Sequence, residues 1–200
     1  MGKNIPIYNF FKHTNMKNIF FFVLLLTAQM AFGQKYFSKT GKVSFLSEAP
    51  METIKAQNTS ASTAIDVATG TMEWAVLIQG FQFEKALMQE HFNENYMESS
   101  TYPKAKFKGV IDNIKDVNFS KDGVYNITVT GQLEMHGVTK PLTTKGVITV
   151  KNGSIVGTSQ FSIAVADYGI EIPKLVADNI SKTVDITVEA NYQLMKLATN

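Results

Sequence analysis

The sequence predicts an all-β domain of mostly antiparallel strands with one helix, and three observations indicate this. Apolar residues occupy every second position of 184–194, with polar residues between them. The same period-two pattern recurs in 124–136 and, less completely, in 154–165. Asp-Gly and Asn-Gly pairs precede two of the predicted strands, as hairpin turns often do. Clean alternation is typical of antiparallel strands with one buried face, whereas buried parallel strands are apolar throughout.

The N-terminal segment 1–33 has the three parts of a secretory signal peptide. It contains three lysines and no acidic residue, then a mostly apolar stretch of ten residues at 19–28. Small residues follow, with Ala31 and Gly33 placed before Gln34. Ten residues are too few for a transmembrane helix, which needs about 20. The sequence therefore predicts an exported chain with one domain over 34–200, and translation can start at Met1 or at Met16.

The remaining chain divides into strands separated by turn residues. The pairs Asp122-Gly123 and Asn152-Gly153 predict two-residue hairpin turns, because both central residues of such turns need positive φ. Gly137 and Pro141 indicate another reversal of the chain. The predicted strands are 42–49, 52–57, 60–67, 70–80, 105–112, 124–136, 142–151, 154–165 and 183–195. Consecutive strands of this length indicate a barrel or a sandwich.

One segment, 84–97, interrupts the β pattern and predicts an amphipathic helix. It is rich in helix-forming residues. Met88, Phe92 and Tyr96 recur four residues apart, which places them on one face, and Leu87 lies beside them. We expect this helix to cover or plug part of the barrel.

Charge and cysteine content exclude several classes of protein. All 19 basic residues are lysine, and arginine is the residue that best reads phosphates and guanine edges. Loss of the three lysines of 1–33 leaves 16 basic and 17 acidic residues, a net charge near −1. This balance argues against nucleic-acid binding. The chain has no cysteine, and hence no thiolate nucleophile or thiolate metal ligand.

Catalytic motifs are not found in the sequence. Beyond the predicted signal peptide there are two histidines, His91 and His136. His91 has Leu87 and Asn95 at the helical spacing where a metal site would place a second ligand. His136 precedes a glycine and is interpreted as a turn residue. No Gly-x-Ser-x-Gly or glycine-rich phosphate loop occurs, so we expect neither catalysis nor a cofactor nor a metal.

Four stretches resemble the YceI-like family: FEKALMQEHF at 83–92, YPKAKF at 102–107, GQLEMHGVTKPL at 131–142 and DYGI at 167–170. The resemblance extends over nearly all of 34–195 in the same order. It implies a lipocalin-like barrel of eight antiparallel strands with a long internal tunnel. It also implies a periplasmic or secreted protein that binds polyisoprenoids, isoprenoid quinones or fatty-acid derivatives.

The apolar faces of the strands must turn inward, because outward they would form an unusually large exposed patch. Eight strands enclose a space that side chains can fill or that can hold one small ligand, and the sequence leaves both open. If the interior is a tunnel, we expect its lining to include Trp74, Met88, Phe92, Phe107, Tyr125, Ile127, Val129, Leu133, Phe161, Ile163, Ile186 and Val188.

The sequence thus favours an exported, non-catalytic binding protein for an isoprenoid or another long-chain amphiphile. Stable membrane insertion and nucleic-acid partners are not expected, and nothing in the sequence indicates the oligomeric state. One alternative is a small outer-membrane β-barrel, whose strands also alternate. Another is an enzyme that acts on the same apolar ligand, which would need a polar cluster with perturbed pKa values inside the tunnel.

The first testable prediction concerns processing of the chain. We expect cleavage between Gly33 and Gln34, because small residues lie one and three positions before that bond. N-terminal sequencing of exported protein should begin at Gln34. Residues upstream of Ala31 in the exported material would contradict the prediction.

Overall fold

The computed structural model describes residues 34–195, so the predicted signal peptide at 1–33 lies outside the described residues, as do 196–200. Strands make up most of the described chain. They are β1 (Lys35–Glu48), β2 (Thr53–Asp66), β3 (Thr71–Leu77), β4 (Gln82–Phe83), β5 (Lys104–Ile111), β6 (Gly123–Met135), β7 (Val138–Lys151), β8 (Ser154–Ala164) and β9 (Thr183–Leu194).

Eight of these strands form a closed antiparallel barrel. Each long strand pairs with the next long strand along the chain, and β9 pairs with β1 to close the circle. The two-residue strand β4 lies outside this cycle and extends the sheet along the free part of β2. The predicted fold, an eight-stranded antiparallel barrel with one short helix, is confirmed.

The first part of the barrel differs in detail from the predicted strands. β1 begins at Lys35 rather than near 42, and the two predicted strands at 52–57 and 60–67 are one continuous strand, β2. The register between β1 and β2 shifts on both sides of Gly41. Asn58 is buried opposite this irregularity and donates a hydrogen bond to the carbonyl of Leu77 at 2.8 Å. Because the irregularity breaks the period-two pattern, the sequence predicts two strands where the structure has the single strand β2.

The predicted hairpin turns have different outcomes. Asn152-Gly153 joins β7 to β8 as a two-residue turn with φ of 50° and 77°, as predicted. The prediction for Asp122-Gly123 is wrong, because Gly123 begins β6 without a positive φ. An eleven-residue connection, 112–122, joins β5 to β6 instead. The Asp122 carboxylate accepts a hydrogen bond from the backbone N–H of Asn152 at 3.0 Å, which joins two loops at the same end of the barrel.

A third reversal lies where the sequence indicated one. His136-Gly137, with φ of 51° and 72°, forms the two-residue turn between β6 and β7. Pro141 is not part of this turn but lies within β7, opposite Gln132.

The predicted helix is present and slightly shorter than expected. Helix α1 (Ala86–His91) continues into a single π-helical turn, Phe92–Tyr96. Its predicted apolar stripe of Met88, Phe92 and Tyr96 faces the barrel interior, whereas Leu87 is 61% exposed. The helix lies on the connection from β4 to β5, at the end of the barrel that also carries the β6–β7 turn.

The opposite end of the barrel is a packed core. Side chains of the strands and of the 112–122 connection fill it, and the rings of Tyr36 and Phe119 stack there with centroids 5.2 Å apart. We call this group the floor cluster; it comprises Tyr36, Ile65, Met72, Ile111, Ile114, Val117, Phe119, Ile127, Val129, Ile148, Val150, Ile155, Ala190 and Tyr192.

The Asn152-Gly153 turn provides the second prediction. A methyl group at Gly153 would meet no atom within 4 Å, so only its positive φ opposes a side chain. Gly153→Ala should therefore lower the free energy of unfolding by about 1 kcal/mol, the cost of left-handed backbone for an L-residue. Urea denaturation measures this change. Ser154→Ala, in extended backbone next to it, is the matched control, and an equal effect of both substitutions would contradict the turn assignment.

Candidate functional site

Above the floor cluster, the barrel encloses an apolar cavity of about 430 Å³. All eight long strands, helix α1 and the connection at 165–182 contribute to its lining. The inward positions of the strands carry mainly aliphatic and aromatic side chains, as their alternation requires. The interior is thus packed in one half and hollow in the other.

Eleven of the twelve residues expected to line a tunnel lie on this cavity. They are Trp74, Met88, Phe92, Phe107, Ile127, Val129, Leu133, Phe161, Ile163, Ile186 and Val188. The structure places Tyr125 elsewhere: it packs against the floor cluster, and its hydroxyl donates to the Lys121 carbonyl at 2.9 Å. Tyr125 points inward too near the packed end of β6 to reach the cavity.

Part of the lining comes from segments that carry no periodic signal. Phe45, Phe81 and Phe83 lie on or near irregular parts of the wall. Besides Val165, the connection from β8 to β9 contributes four further apolar residues, Ile170, Ile172, Val176 and Ile180. This connection contains only short 3-10 turns, so periodicity cannot detect its buried face. The sequence signal that could have identified this connection as part of the lining was its content of aliphatic residues between two polar stretches.

A cluster of four phenylalanines holds helix α1 against the barrel. The ring of Phe92 lies 4.9 Å from that of Phe83, 5.5 Å from that of Phe45 and 5.6 Å from that of Phe81, measured between centroids. Such aromatic pairs add about 0.5–1.5 kcal/mol each beyond the area that they bury. Helix α1 is therefore positioned over the cavity mainly by side-chain packing.

The wall of the cavity is not hydrogen-bonded all the way round. β7 and β8 pair only from Lys151↔Ser154 to Gly146↔Ser159, so 138–145 of β7 has no strand partner on that side. At the point of separation, the hydroxyls of Thr144 and Ser159 lie 3.1 Å apart. We call this separation the β7–β8 seam. Residues of the 165–182 connection complete the wall beside it.

Two hydroxyl groups of the cavity lining, those of Ser159 and Tyr192, lie within hydrogen-bond distance of protein atoms. The Ser159 hydroxyl donates to the Lys145 carbonyl at 2.7 Å, and the Tyr192 hydroxyl lies 3.1 Å from that of Thr63. Burial raises the pKa of Tyr192 and also that of Tyr96, the second tyrosine of the lining. Both phenols therefore stay protonated near neutral pH, and neither is activated for proton transfer or nucleophilic attack.

His91 lies at the edge of the cavity, and His136 lies outside it. His91 contributes to the lining near the opening and is largely exposed. His136 Nδ1 lies 3.0 Å from the carbonyl oxygen of Tyr168, which can only accept a hydrogen bond, so Nδ1 carries a proton. Its Nε2 lies 3.3 Å from a carboxylate oxygen of Glu98. His136 thus joins the β6–β7 turn to the β8–β9 connection by the hydrogen bond to Tyr168, and its ring packs against Tyr102 with centroids 4.8 Å apart, which is a structural role.

Three at least partly exposed polar residues of the lining, Glu52, His91 and Asn179, mark the opening of the cavity beside helix α1. Glu52, from the β1–β2 connection, accepts a hydrogen bond from the Lys85 ammonium at 2.9 Å, and this contact raises the pKa of Lys85. Asn179 and His91 also line the opening. The cavity therefore has a polar mouth beside helix α1 and an apolar interior.

Within 34–195, no three His, Asp or Glu side chains come together as metal ligands would. No helix in the same range has the length and apolar character needed to cross a membrane.

Comparisons with known proteins agree on the fold. The family profile of the YceI-like domain matches residues 27–192. A polyisoprenoid binding domain from Saccharophagus degradans, implicated in plant cell wall breakdown, superposes with a TM-score of 0.70 at 16% identity. That match covers 82% of this chain and 99% of the other. BcnA from Burkholderia cenocepacia gives a TM-score of 0.62 at 16% identity, over 76% and 96% of the two chains. No curated protein matches this chain.

The phenylalanine cluster provides the third prediction. Phe92→Ala removes three ring contacts and should lower the free energy of unfolding by about 3 kcal/mol, the lower end for truncating a buried aromatic. Leu87→Ala, on the exposed side of the same helix, should change it by less than about 0.5 kcal/mol. Thermal or urea denaturation distinguishes the two. Similar losses for both variants would contradict the assignment of this role to the ring contacts of Phe92.

Proposed function

This chain belongs to the YceI-like family, and we propose that it is an exported binding protein that holds one long apolar or amphiphilic molecule in its barrel. The ligand class we propose is a polyisoprenoid, an isoprenoid quinone or a fatty-acid derivative. The cavity is the single observation that carries the proposal.

The size and lining of the cavity suit such a ligand. Its volume of about 430 Å³ lies within the range of about 300–1,000 Å³ that is typical of small-molecule sites. Each methylene moved from water into an apolar interior contributes about 0.8 kcal/mol. A hydrocarbon chain can therefore bind tightly here without strong polar contacts, while its polar end stays with Glu52, His91 and Asn179 at the mouth.

The related structures support the ligand class. The Saccharophagus degradans domain that shares this fold is a polyisoprenoid binding domain. At 16% identity this likeness concerns the fold, and the apolar lining of this chain's own cavity supplies the argument for its ligand. We propose the eleven predicted lining residues on the cavity as ligand contacts and leave Tyr125 out.

The chemistry of the cavity supports binding rather than catalysis. The enzyme alternative requires an inward polar cluster with perturbed pKa values, and the shifted tyrosines there are held in their neutral form. The inward hydroxyls of Thr63 and Ser159 are engaged in hydrogen bonds with protein atoms. Binding by shape and burial needs no cofactor.

The outer wall favours the binding protein over an outer-membrane barrel. Lys106 pairs with Glu134 at 3.2 Å, and Lys108 pairs with Glu73 at 3.1 Å, on the outward faces of neighbouring strands. A lipid-facing wall carries an apolar band at such positions instead. We further propose a periplasmic or secreted location, on the basis of the signal peptide predicted at 1–33.

The fourth prediction tests the proposed function. Organic extracts of the protein purified from its native host should contain a prenyl or acyl lipid by mass spectrometry. Val188→Asn should weaken binding of a fluorescent farnesyl probe by about tenfold or more, because an unpaired amide in an apolar wall costs about 1–3 kcal/mol. Thr187→Asn, one residue away on the outward face, should bind the probe like the original protein.

Circular dichroism must first show that both variants are folded. If the folded original protein binds no prenyl or acyl probe, the proposed function is wrong. If Val188→Asn and Thr187→Asn bind the probe equally well, the ligand lies outside this cavity.

A further inference from the structure

The inner end of the cavity has a defined boundary. The lining reaches down to Ile65, Met72, Ile148 and Tyr192 and includes no residue of the floor cluster beyond them toward the Tyr36–Phe119 stack. Ile65 and Ile148 are almost completely buried, with exposed fractions of 1% and 0%. The cavity is therefore closed at this end.

Tyr192 is the largest side chain at this boundary. It projects inward from β9, and its hydroxyl lies 3.1 Å from that of Thr63 on β2, on the far side of β1. On the opposite side, β8 carries Gly157, where a methyl group would lie 2.9 Å from the Tyr192 ring. The ring thus occupies interior space between β8 and β2, and this position requires the missing side chain of Gly157.

We propose that Tyr192, held by Thr63, is the end stop that sets the length of the apolar tail accepted by this protein. This inference rests on the proposed function, which it makes more specific. The ligand enters tail first, because the closed end is apolar and its hydroxyl pair is already hydrogen-bonded. The favoured ligand is then one whose single tail just fills the space between the mouth and the Tyr192 ring.

The physical basis is that added methylenes no longer improve the binding affinity once the tail reaches Tyr192. Each methylene that enters the cavity improves affinity by about fourfold, the equivalent of its transfer from water. Once the tail touches Tyr192, added carbons must remain at the mouth in water or fold within a close-packed space. Affinity should therefore rise with tail length and then stop rising.

The fifth prediction measures this break with a series of prenols: geraniol, farnesol, geranylgeraniol and solanesol. Each competes with a dansyl-farnesol probe for the full chain. For the original protein, affinity should increase along the series up to a break and not beyond it. Tyr192→Ala, which removes the ring, should move the break to the next longer prenol and improve the affinity for that prenol by about tenfold or more.

Two variants separate the ring from other effects. Tyr192→Phe keeps the ring and removes the hydroxyl, so the break should stay in place despite a loss of stability. Val188→Ala enlarges the cavity on the same face of β9, above the stop, and should also leave the break in place. Tyr192→Leu replaces Tyr192→Ala if the latter does not fold.

A measurement on the original protein needs no variant. Farnesol with a photoreactive diazirine at its tail end should crosslink to Tyr192, Thr63 or their neighbours at the closed end. Crosslinks at the mouth would overturn the end stop, as would an affinity that rises through solanesol or a break that Tyr192→Ala does not move. In those cases farnesol still binds and the proposed function holds. If no prenol binds, the end stop for prenyl tails is overturned, and the proposed function fails as well only if no acyl probe binds.

Discussion

The pairing of β1 with β9 is the interaction on which the other features of this protein depend. It joins strands from the two ends of the described chain and converts a meander into a closed cylinder. Closure sets which face of every strand is inside, and with eight strands it sets an interior just wide enough for side chains or one ligand. Without this pair, the apolar face of each strand would have no common space to enclose.

Within this cylinder, the difference between core and cavity follows from how the wall is built. At the floor, β7 is paired with both β6 and β8, and the 112–122 connection inserts Ile114, Val117 and Phe119. At the other end β7 separates from β8, and β2 pairs with β3 over only four residues. The wall there is completed by α1, β4 and the 165–182 connection. A wider, composite wall leaves room that its side chains do not fill.

The sequence predicts most of the regular part of this structure. Period-two alternation identified the inward faces of β6, β8 and β9, because each of those strands buries one face only. It failed for β2, where the irregularity between Asn58 and Ala61, opposite Gly41 of β1, breaks the alternation. It also failed at Asp122-Gly123, because a turn signal does not reveal the length of the connection around it. The hollow interior depends on where neighbouring strands separate. That depends on residues far apart in the sequence, which local patterns do not record.

The β7–β8 seam has a consequence for how this protein meets other copies of itself. A strand edge without a partner is a template for pairing with another chain, and 138–145 has such an edge. Pro141 lies opposite Gln132 in a non-hydrogen-bonded pair, counted from the two-residue turn at His136-Gly137. Its nitrogen, which has no hydrogen to donate, therefore faces the seam.

Lysines flank that proline on both sides, at Lys140 and Lys145. Proline and lysine are the residues with which natural sheets discourage pairing at a free edge. The barrel can thus leave this strand edge in its wall unpaired without offering a site for edge-to-edge aggregation.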